Sequence, residues 1–254
     1  MIDSYHSNLK QSPEAQAYLS VRGLSGELID AFQLGYANKS LTYRLPPGHT
    51  IAGKEMRSRL QALGVIRESG HEHLNGSLVM PVMGMKESAI EAQRGKILQL
   101  YGRRIVPDNK IHTDQPRHLY LPRPLRGVWN ESALVADKEI ILCKSLIDAM
   151  RFWSAGYRNV ITAFGVHGLT EDHWKALKQH GTKRVLIAYD CDDAGNNSAN
   201  KLIPLLLEAG IEAWRVLFPK GMDANEYASK VKPAEKSLGL TSVRDKHPIE
   251  KVKK

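Results

Sequence analysis

Cysteine is scarce in this chain: two in 254 residues, Cys143 and Cys191. Each stands at the end of a predicted strand, and no pair has zinc-ligand spacing. A disulfide framework and a cysteine-based zinc site are therefore excluded, and a reducing, cytoplasmic compartment is expected. No apolar run is long enough to cross a membrane. The opening residues, Met1-Ile-Asp-Ser-Tyr-His6, lack a basic region followed by an apolar core, so no signal peptide is expected. Internal repeats are also missing. What is present is an apolar content of 42%, enough for one large core or two modest ones.

Charge is the second imbalance. The chain carries a net +9. Residues 94–126 hold eight Lys/Arg against two Asp/Glu, and residues 230–254 hold eight against three. These two segments account for more than the whole excess, so the rest of the chain is close to neutral. Basic stretches on a neutral body point to a polyanionic partner; a solvated face and a disordered tail are the plainer reading.

The first half reads as mixed α+β. Ser12-Pro13-Glu14 caps a helix over 12–22 that Gly23 stops, and Ser25 begins another with Leu28, Ile29 and Phe32 on one face and Gly35 as its stop. Residues 40–50 form a Pro/Gly loop, and 52–63 a charged helix. His71 and His73 make a His-x-His pair with no third ligand in view, so a loop pair is expected rather than a metal site. Leu78–Val82 reads as a strand that Pro81 places at an edge or a strand end. Lys96–Arg104 is a second strand, with Gly102 at a bulge, and 105–130 is loop-rich and basic.

After about residue 130 strands and helices alternate. Strands are expected at 139–143, 159–162, 184–189 and 213–217, and helices at 146–155, 171–179 and 196–209. This alternation predicts a parallel sheet with helices on its faces. Pro204 should kink the last helix or restart it. Residues 231–254 have little apolar content and are expected to fray. Trp129, Trp153, Trp174 and Trp214 read as core residues.

The chain is organised around Val185-Leu-Ile-Ala-Tyr-Asp190-Cys-Asp192-Asp193-Ala-Gly195. An apolar run suited to a buried strand ends in carboxylates, then turns into a helix. Alternation along an extended chain puts Asp190 and Asp192 on one side and Asp193 on the other. That places acids at the carboxyl edge of an α/β sheet, where ligand sites gather. Paired carboxylates repel unless a cation lies between them, and a hard divalent ion is the usual solution. The plainer reading is that Asp192 or Asp193 caps the next helix.

Taken together and in order, these residues resemble a family. Ile141-Leu-Cys-Lys144-Ser-Leu-Ile-Asp148-Ala, Asp190-Cys-Asp192-Asp193-Ala-Gly195 and Gly221-Met-Asp223-Ala-Asn225 resemble the three motifs of a Toprim domain. Arg22-Gly-Leu-Ser25, Phe32-Gln-Leu-Gly-Tyr36, Leu78-Val-Met-Pro81, Gly102-Arg-Arg104 and Pro116-Arg-His-Leu-Tyr120 are similar to the N-terminal part of the DnaG-type primase catalytic core. The resemblance implies an α/β fold: a Toprim-type, mostly parallel sheet flanked by helices, preceded by a mixed α+β N-terminal subdomain. It implies boundaries of 1–130 for the primase-core subdomain, 131–230 for the Toprim domain and 231–254 for a basic, disordered tail. It also implies metal-dependent, templated nucleotidyl transfer that joins nucleoside triphosphates into short RNA primers on single-stranded DNA. Magnesium or manganese would be held by Asp190, Asp192 and Asp223. Asp148 binds metal or orients a neighbour in this reading, a helix N-terminal acid being the plainer one; His167 either contacts phosphate or is a plain loop histidine. Arg103, Arg104 and Arg117 match positions facing the template.

The departures are specific. Lys144 stands where the family has its catalytic glutamate, Ser145 where it has glycine, and Asn225 where a second aspartate is common. Asn75 and Ser77 replace basic residues. Counterparts of the family's preceding zinc-binding domain and of its helicase-binding region are not expected within these residues, nor is helicase contact by them. Lys144 is expected to approach Asp190 and Asp192 as a tethered cation that weakens metal binding and polymerisation; the plainer reading is that it swings into solvent on its flexible stem and the acids still hold a metal. Two further readings stay open: an inactive Toprim protein of replication or a mobile element that binds nucleic acid, and a Toprim nuclease.

Overall fold

The computed structural model describes residues 1–85, 95–106, 116–122, 124–216 and, for the backbone, 249–251. The chain divides into two units. The first holds Met1–Val21, Ser25–Val82 and Ile97–Leu125; the second holds Arg22–Leu24, Met83–Lys96 and Arg126–Lys254.

In the first unit, α1 (Ile2–Lys10) and α2 (Pro13–Val21) open the chain, followed by α3 (Gly26–Ala31). α1 is not among the expected elements, although Ile2, Tyr5 and Leu9 recur at helical spacing and are all buried. Ser12 and Ser25 behave as expected, their hydroxyls accepting from Ala15 N at 3.3 Å and Leu28 N at 3.2 Å. Gly35 does not stop α3. The left-handed residue after that helix is Gln33, at φ 48°, and Gly35 instead opens β1 (Gly35–Ala37). A side chain at Gly35 would come within 2.5 Å of Tyr5 Cβ, so the glycine answers to packing. α4 (Ile51–Ala62) starts on Thr50, whose hydroxyl accepts from Gly53 N at 3.0 Å.

β2 (Ser77–Met83), β3 (Ile97–Arg104) and β4 (His118–Tyr120) complete a four-stranded sheet in the order β1-β2-β3-β4. β1 pairs antiparallel with β2, and β3 with β4. Pro81 therefore lies in an inner strand, not an edge strand. It is tolerated because β1 pairs only with Ser77–Val79, so the missing N–H falls beyond that ladder. Gly102 is not at a bulge: it pairs in register with Leu119. A Cβ there would meet Leu74 Cδ2 at 2.8 Å, so close packing requires the glycine. Buried Glu72 ties the unit together, accepting from Tyr5 Oη at 3.1 Å and Leu41 N at 2.9 Å. His73 is occupied structurally, with Nε2 donating to the Tyr120 carbonyl at 2.8 Å.

The second unit follows the expected alternation. α5 (Ser132–Ala136) precedes β5 (Glu139–Cys143), α6 (Leu146–Ser154), β6 (Val160–Thr162), α7 (Glu171–Gln179), β7 (Arg184–Ala188), α8 (Asp193–Glu208) and β8 (Glu212–Val216). β6, β5, β7 and β8 pair in parallel in that order. Ile140, Leu142, Val185 and Ile187 at the centre are at most 1% exposed, each stabilising the fold by roughly 1.5–3 kcal/mol. Trp129 and Trp153 are buried, while Trp174 packs partly on the core and Trp214 is half-buried, its Nε1 donating to Glu212 at 3.2 Å.

Two expectations change here. α8 does not restart at Pro204 but runs through it as one element; both Pro204 and Asn200, whose carbonyl loses its helical partner, are exposed to water. In the stretch expected to fray, Ile249–Lys251 form β9, antiparallel to β8. An edge strand leaves a row of unpaired backbone groups, and a passing segment satisfies them whatever its composition.

Candidate active site at the carboxyl edge

Because β5 to β8 are parallel, the segments that follow them leave the sheet on one edge. Lys144, Ser145 and Asp148 follow β5. The turn Gly165–His167, with exposed His167, follows β6. Tyr189 to Asp193 follow β7. The segment after β8 holds Asp223 and Asn225, which lie outside the described residues.

The acidic turn is not an extension of β7, which ends at Ala188, so strand alternation does not govern where its carboxylates point. Asp192 is the N-cap of α8: its Oδ1 accepts from Gly195 N at 2.6 Å, as the plainer reading expected. That bond uses one carboxylate oxygen and leaves the second. Asp190 is half-buried, and Asp192 and Asp193 are exposed. Gly195 is required by close approach, since a Cβ there would lie 2.1 Å from the Asp190 carbonyl oxygen.

Asp148 sits in the first turn of α6, 6% exposed. Ser145 caps that helix; its hydroxyl accepts from Asp148 N at 3.3 Å and donates to Asp148 Oδ2 at 2.5 Å. The serine at the family's glycine position thus holds Asp148 in place. Buried Cys143 lies in the field of both Asp148 and Asp190. Its thiol is pushed up first by burial, then by these two carboxylates, so it stays protonated and inert.

Lys144 is half-exposed, and its carbonyl accepts from Gly165 N at 3.1 Å. Among the described residues it forms no ion pair with Asp190 or Asp192, so the expected approach to the acids takes no paired form. The backbone at Cys143 and Lys144 continues to pair with the β6 side, through Ala163 N and Gly165 N, which fixes the lysine's backbone but not its flexible stem.

Sequence reasoning missed Arg215. It stands in β8 opposite Ile187, is 7% exposed, and donates to the carbonyls of Ile187, Tyr189 and Asp190 and to Asn196 Oδ1. Burial pulls its pKa down, while Cys191, Asp190, Tyr189 and Asp192 act in the opposite direction. The signal was an arginine inside the otherwise apolar run Ala213-Trp-Arg-Val216.

No group of three His, Cys, Asp or Glu side chains stands ready to hold a metal among the described residues. Magnesium commonly takes one or two carboxylates and completes its shell with phosphate and water. Asp190 and the free oxygen of Asp192 fit that kind of site, shared with a substrate.

In the first unit, Arg103, Arg104 and Arg117 cluster where β3 meets β4. Arg104 N donates to the Arg117 carbonyl at 3.0 Å, and Arg117 Nη1 to the Arg104 carbonyl at 3.4 Å. Arg103 Nε donates to Tyr18 Oη at 2.7 Å, and its Nη1 to His118 Nε2 at 3.3 Å. Because arginine only donates, His118 Nε2 accepts, and Nδ1–H donates to Tyr101 Oη at 2.6 Å. Burial and the Arg103 and Arg117 charges push His118 down to about 4, so it adds no charge at neutral pH. Neither Arg103 nor Arg104 is paired with a carboxylate among the described residues.

Comparison with known proteins accounts for both units. Residues 141–228 match a family model described as Toprim-like. The DNA primase of Aquifex aeolicus is 31% identical over 233 residues, covering 89% of this chain and 44% of the relative. The crystal structure of the zinc-binding and RNA polymerase domains of Aquifex aeolicus primase aligns with a TM-score of 0.73 at 25% identity, over 94% of this chain and 58% of that one. A DnaG primase catalytic domain bound to single-stranded DNA has the same fold, with a TM-score of 0.71 at 20% identity, over 94% of this chain and 77% of that one. The chain spans less than half the length of the curated primases it matches. Among the described residues no helix is long and apolar enough to cross a membrane. Over the residues it spans, the chain is a homologue of the DnaG-type DNA primase catalytic core, the RNA polymerase domain, and it carries a Toprim domain.

Proposed function

We propose that this chain is the polymerising core of a primase-like nucleotidyltransferase that makes short RNA primers during DNA replication in the cytoplasm. The observation that carries the reading is the Asp190-Cys-Asp192 turn, set beyond β7 at the carboxyl edge of a parallel sheet. Its domains are taken as 1–130, 131–230 and a basic tail over 231–254. The template is single-stranded DNA, as supported by the fold relative that carries it and by the arginine cluster of the first unit.

The reaction is attack of a primer 3′-hydroxyl on the α-phosphate of a nucleoside triphosphate, with pyrophosphate leaving. Asp190, Asp192 and Asp223 are the residues assigned to hold magnesium or manganese. When bound, such an ion supplies charge neutralisation at the triphosphate. Asp148, fixed by Ser145, orients the segment after β5. His167, exposed in the turn after β6, meets phosphate in this reading, and Arg103, Arg104 and Arg117 bind the template backbone through their guanidinium forks.

Lys144 is the weak point. An ammonium in place of a carboxylate removes a ligand or proton acceptor and adds positive charge near the acids. One observation favours a second reading, an inactive nucleic-acid-binding Toprim protein: a lysine, Lys144, stands at the position of the family's glutamate. Primer synthesis on single-stranded DNA with magnesium and with manganese separates the two. The active reading expects slow synthesis by the wild type, lost in Asp190→Asn and raised about tenfold or more in Lys144→Glu. No product from either wild type or Lys144→Glu, with DNA binding intact, selects the inactive reading.

A further inference from the structure

β8 reads Glu212-Ala-Trp-Arg-Val216, and its neighbours Ala213 and Val216 are core residues. An arginine in such a strand is expensive to bury, and a buried charge normally has a carboxylate partner. Arg215 has none among the described residues. Its five hydrogen bonds go to four backbone carbonyls and one side-chain amide. Nη1 donates to Ile187 O at 3.0 Å, Tyr189 O at 2.9 Å and Val216 O at 3.3 Å; Nη2 donates to Asp190 O at 2.9 Å and Asn196 Oδ1 at 3.2 Å.

The choice of carbonyls is informative. The β7–β8 ladder ends with the pair Ile187 and Arg215, and the β5–β7 ladder with Cys143 and Ala188. Tyr189 and Asp190 are therefore past both ladders, and among the described residues no strand pairs with them. The guanidinium substitutes for the missing strand. Its planar fork reaches several acceptors at once, which a lysine ammonium on a flexible stem does not reproduce. From the other side, Gly195 presses against the Asp190 carbonyl, and Asp192 Oδ1 is bonded to Gly195 N. The acidic turn is thus gripped between β8 and the first turn of α8.

We infer that Arg215, assisted by Asn196, is a positioning residue that holds the Tyr189–Asp192 turn in place so that Asp190 and Asp192 stand ready before a divalent ion arrives. The inference rests on the metal reading of that turn. An apolar residue at 215 would pack as well, but it would remove these five hydrogen bonds and the positive charge of Arg215 beside Asp190 and Asp192.

Hydrogen exchange of the full chain in metal-free buffer tests the positioning, and calorimetric titration with manganese tests its consequence. For Arg215→Lys, exchange over residues 189–196 is expected to rise about tenfold or more, with 140–142 held within about twofold of wild type. Manganese affinity is expected to fall about tenfold in the same variant. Asn196→Ala, at an exposed position where folding is not at stake, is expected to move both readouts about threefold in the same direction. Unchanged exchange over 189–196 in Arg215→Lys overturns the inference, as does faster exchange with unaltered manganese affinity. If Arg215→Lys does not fold, unchanged exchange in Asn196→Ala overturns it. If the wild type takes up no manganese, the metal reading fails, and exchange alone decides whether Arg215 holds the turn.

Discussion

The two units use arginine in opposite ways. In the first, Arg103, Arg104 and Arg117 sit half-buried at the end of a short antiparallel pair, held by a phenol, a neutral histidine and backbone carbonyls. Neither Arg103 nor Arg104 has its charge cancelled by a carboxylate among the described residues, so the charge is available to a polyanion. In the second, Arg215 is buried, and its hydrogen-bonding capacity is spent on the turn that carries Asp190. Exposure and partners, not residue type, decide whether a cation binds a ligand or shapes a site.

The most damaging single change should be on the acidic side. Asp190→Asn is expected to cut primer synthesis by about a hundredfold or more. The same variant should melt in metal-free buffer no lower than wild type, because it removes repulsion from the turn. A much lower melting temperature without metal would mean that Asp190 is structural, and the contrast between the units would collapse.

The basic side should fail differently. Replacing Arg103, Arg104 and Arg117 together with alanine is expected to weaken single-stranded DNA binding and to reduce the slope of log affinity against log salt by about 2, near 0.7 per lost contact. Titrations at several salt concentrations measure this. An unchanged slope would remove the cluster from the template path.

A smaller effect should sharpen the account of the turn. Gly195→Ala places a methyl 2.1 Å from the Asp190 carbonyl oxygen, and backbone there has to move. A loss of about 1–3 kcal/mol in urea unfolding is expected, with weaker manganese uptake. Wild-type stability in that variant would show that the turn is looser than its contacts imply.

The smallest effect concerns pH. His173 in α7 is 0% exposed, and burial pushes it down to about 4. Its Nε2 donates to the Thr162 carbonyl at 2.9 Å and its Nδ1 accepts from Thr170 N at 3.2 Å, so neither nitrogen has room for a second proton. A folded pKa below the unfolded value means that the unfolded chain takes up the proton first. This contribution is fully present above about pH 6.5 and is lost as pH falls toward 4. It amounts to about 1–3 kcal/mol. Denaturant midpoints at pH 7 and pH 5 should fall for wild type and fall less for His173→Asn; equal slopes would assign the acid sensitivity elsewhere.

Much of the second unit was legible from its residues. β5 and α7 occupy the expected spans, and the other expected elements differ by a few residues at their ends, while α5 and β9 were not expected. Buried parallel strands and amphipathic helices write their periods into the sequence, and those periods depend only on neighbours a few positions away. The acidic turn was visible for the same reason: an apolar run followed by Asp190 and Asp192. The strands β1 and β4 were not, because Gly35-Tyr-Ala37 and His118-Leu-Tyr120 hold no β-branched apolar run of the kind that Val160-Ile-Thr162 gives β6. They exist because β2 and β3 offer them partners.

The sequence by itself therefore determined the alternation of the second unit, the basic stretch of the first and the position of the acids at a strand end. Tertiary structure decided the rest. It spent one oxygen of Asp192 on a helix cap, let Pro81 sit in an inner strand beyond the reach of β1, and left Lys144 without an ion pair to the acids among the described residues. It also brought Arg215 under the Asp190 turn, across 25 positions of chain. Local patterns fix which segments are helix or strand, because they depend on spacing along the chain. Which oxygen a guanidinium reaches depends on sheet register and on where each ladder ends, and those are set by pairings between distant segments.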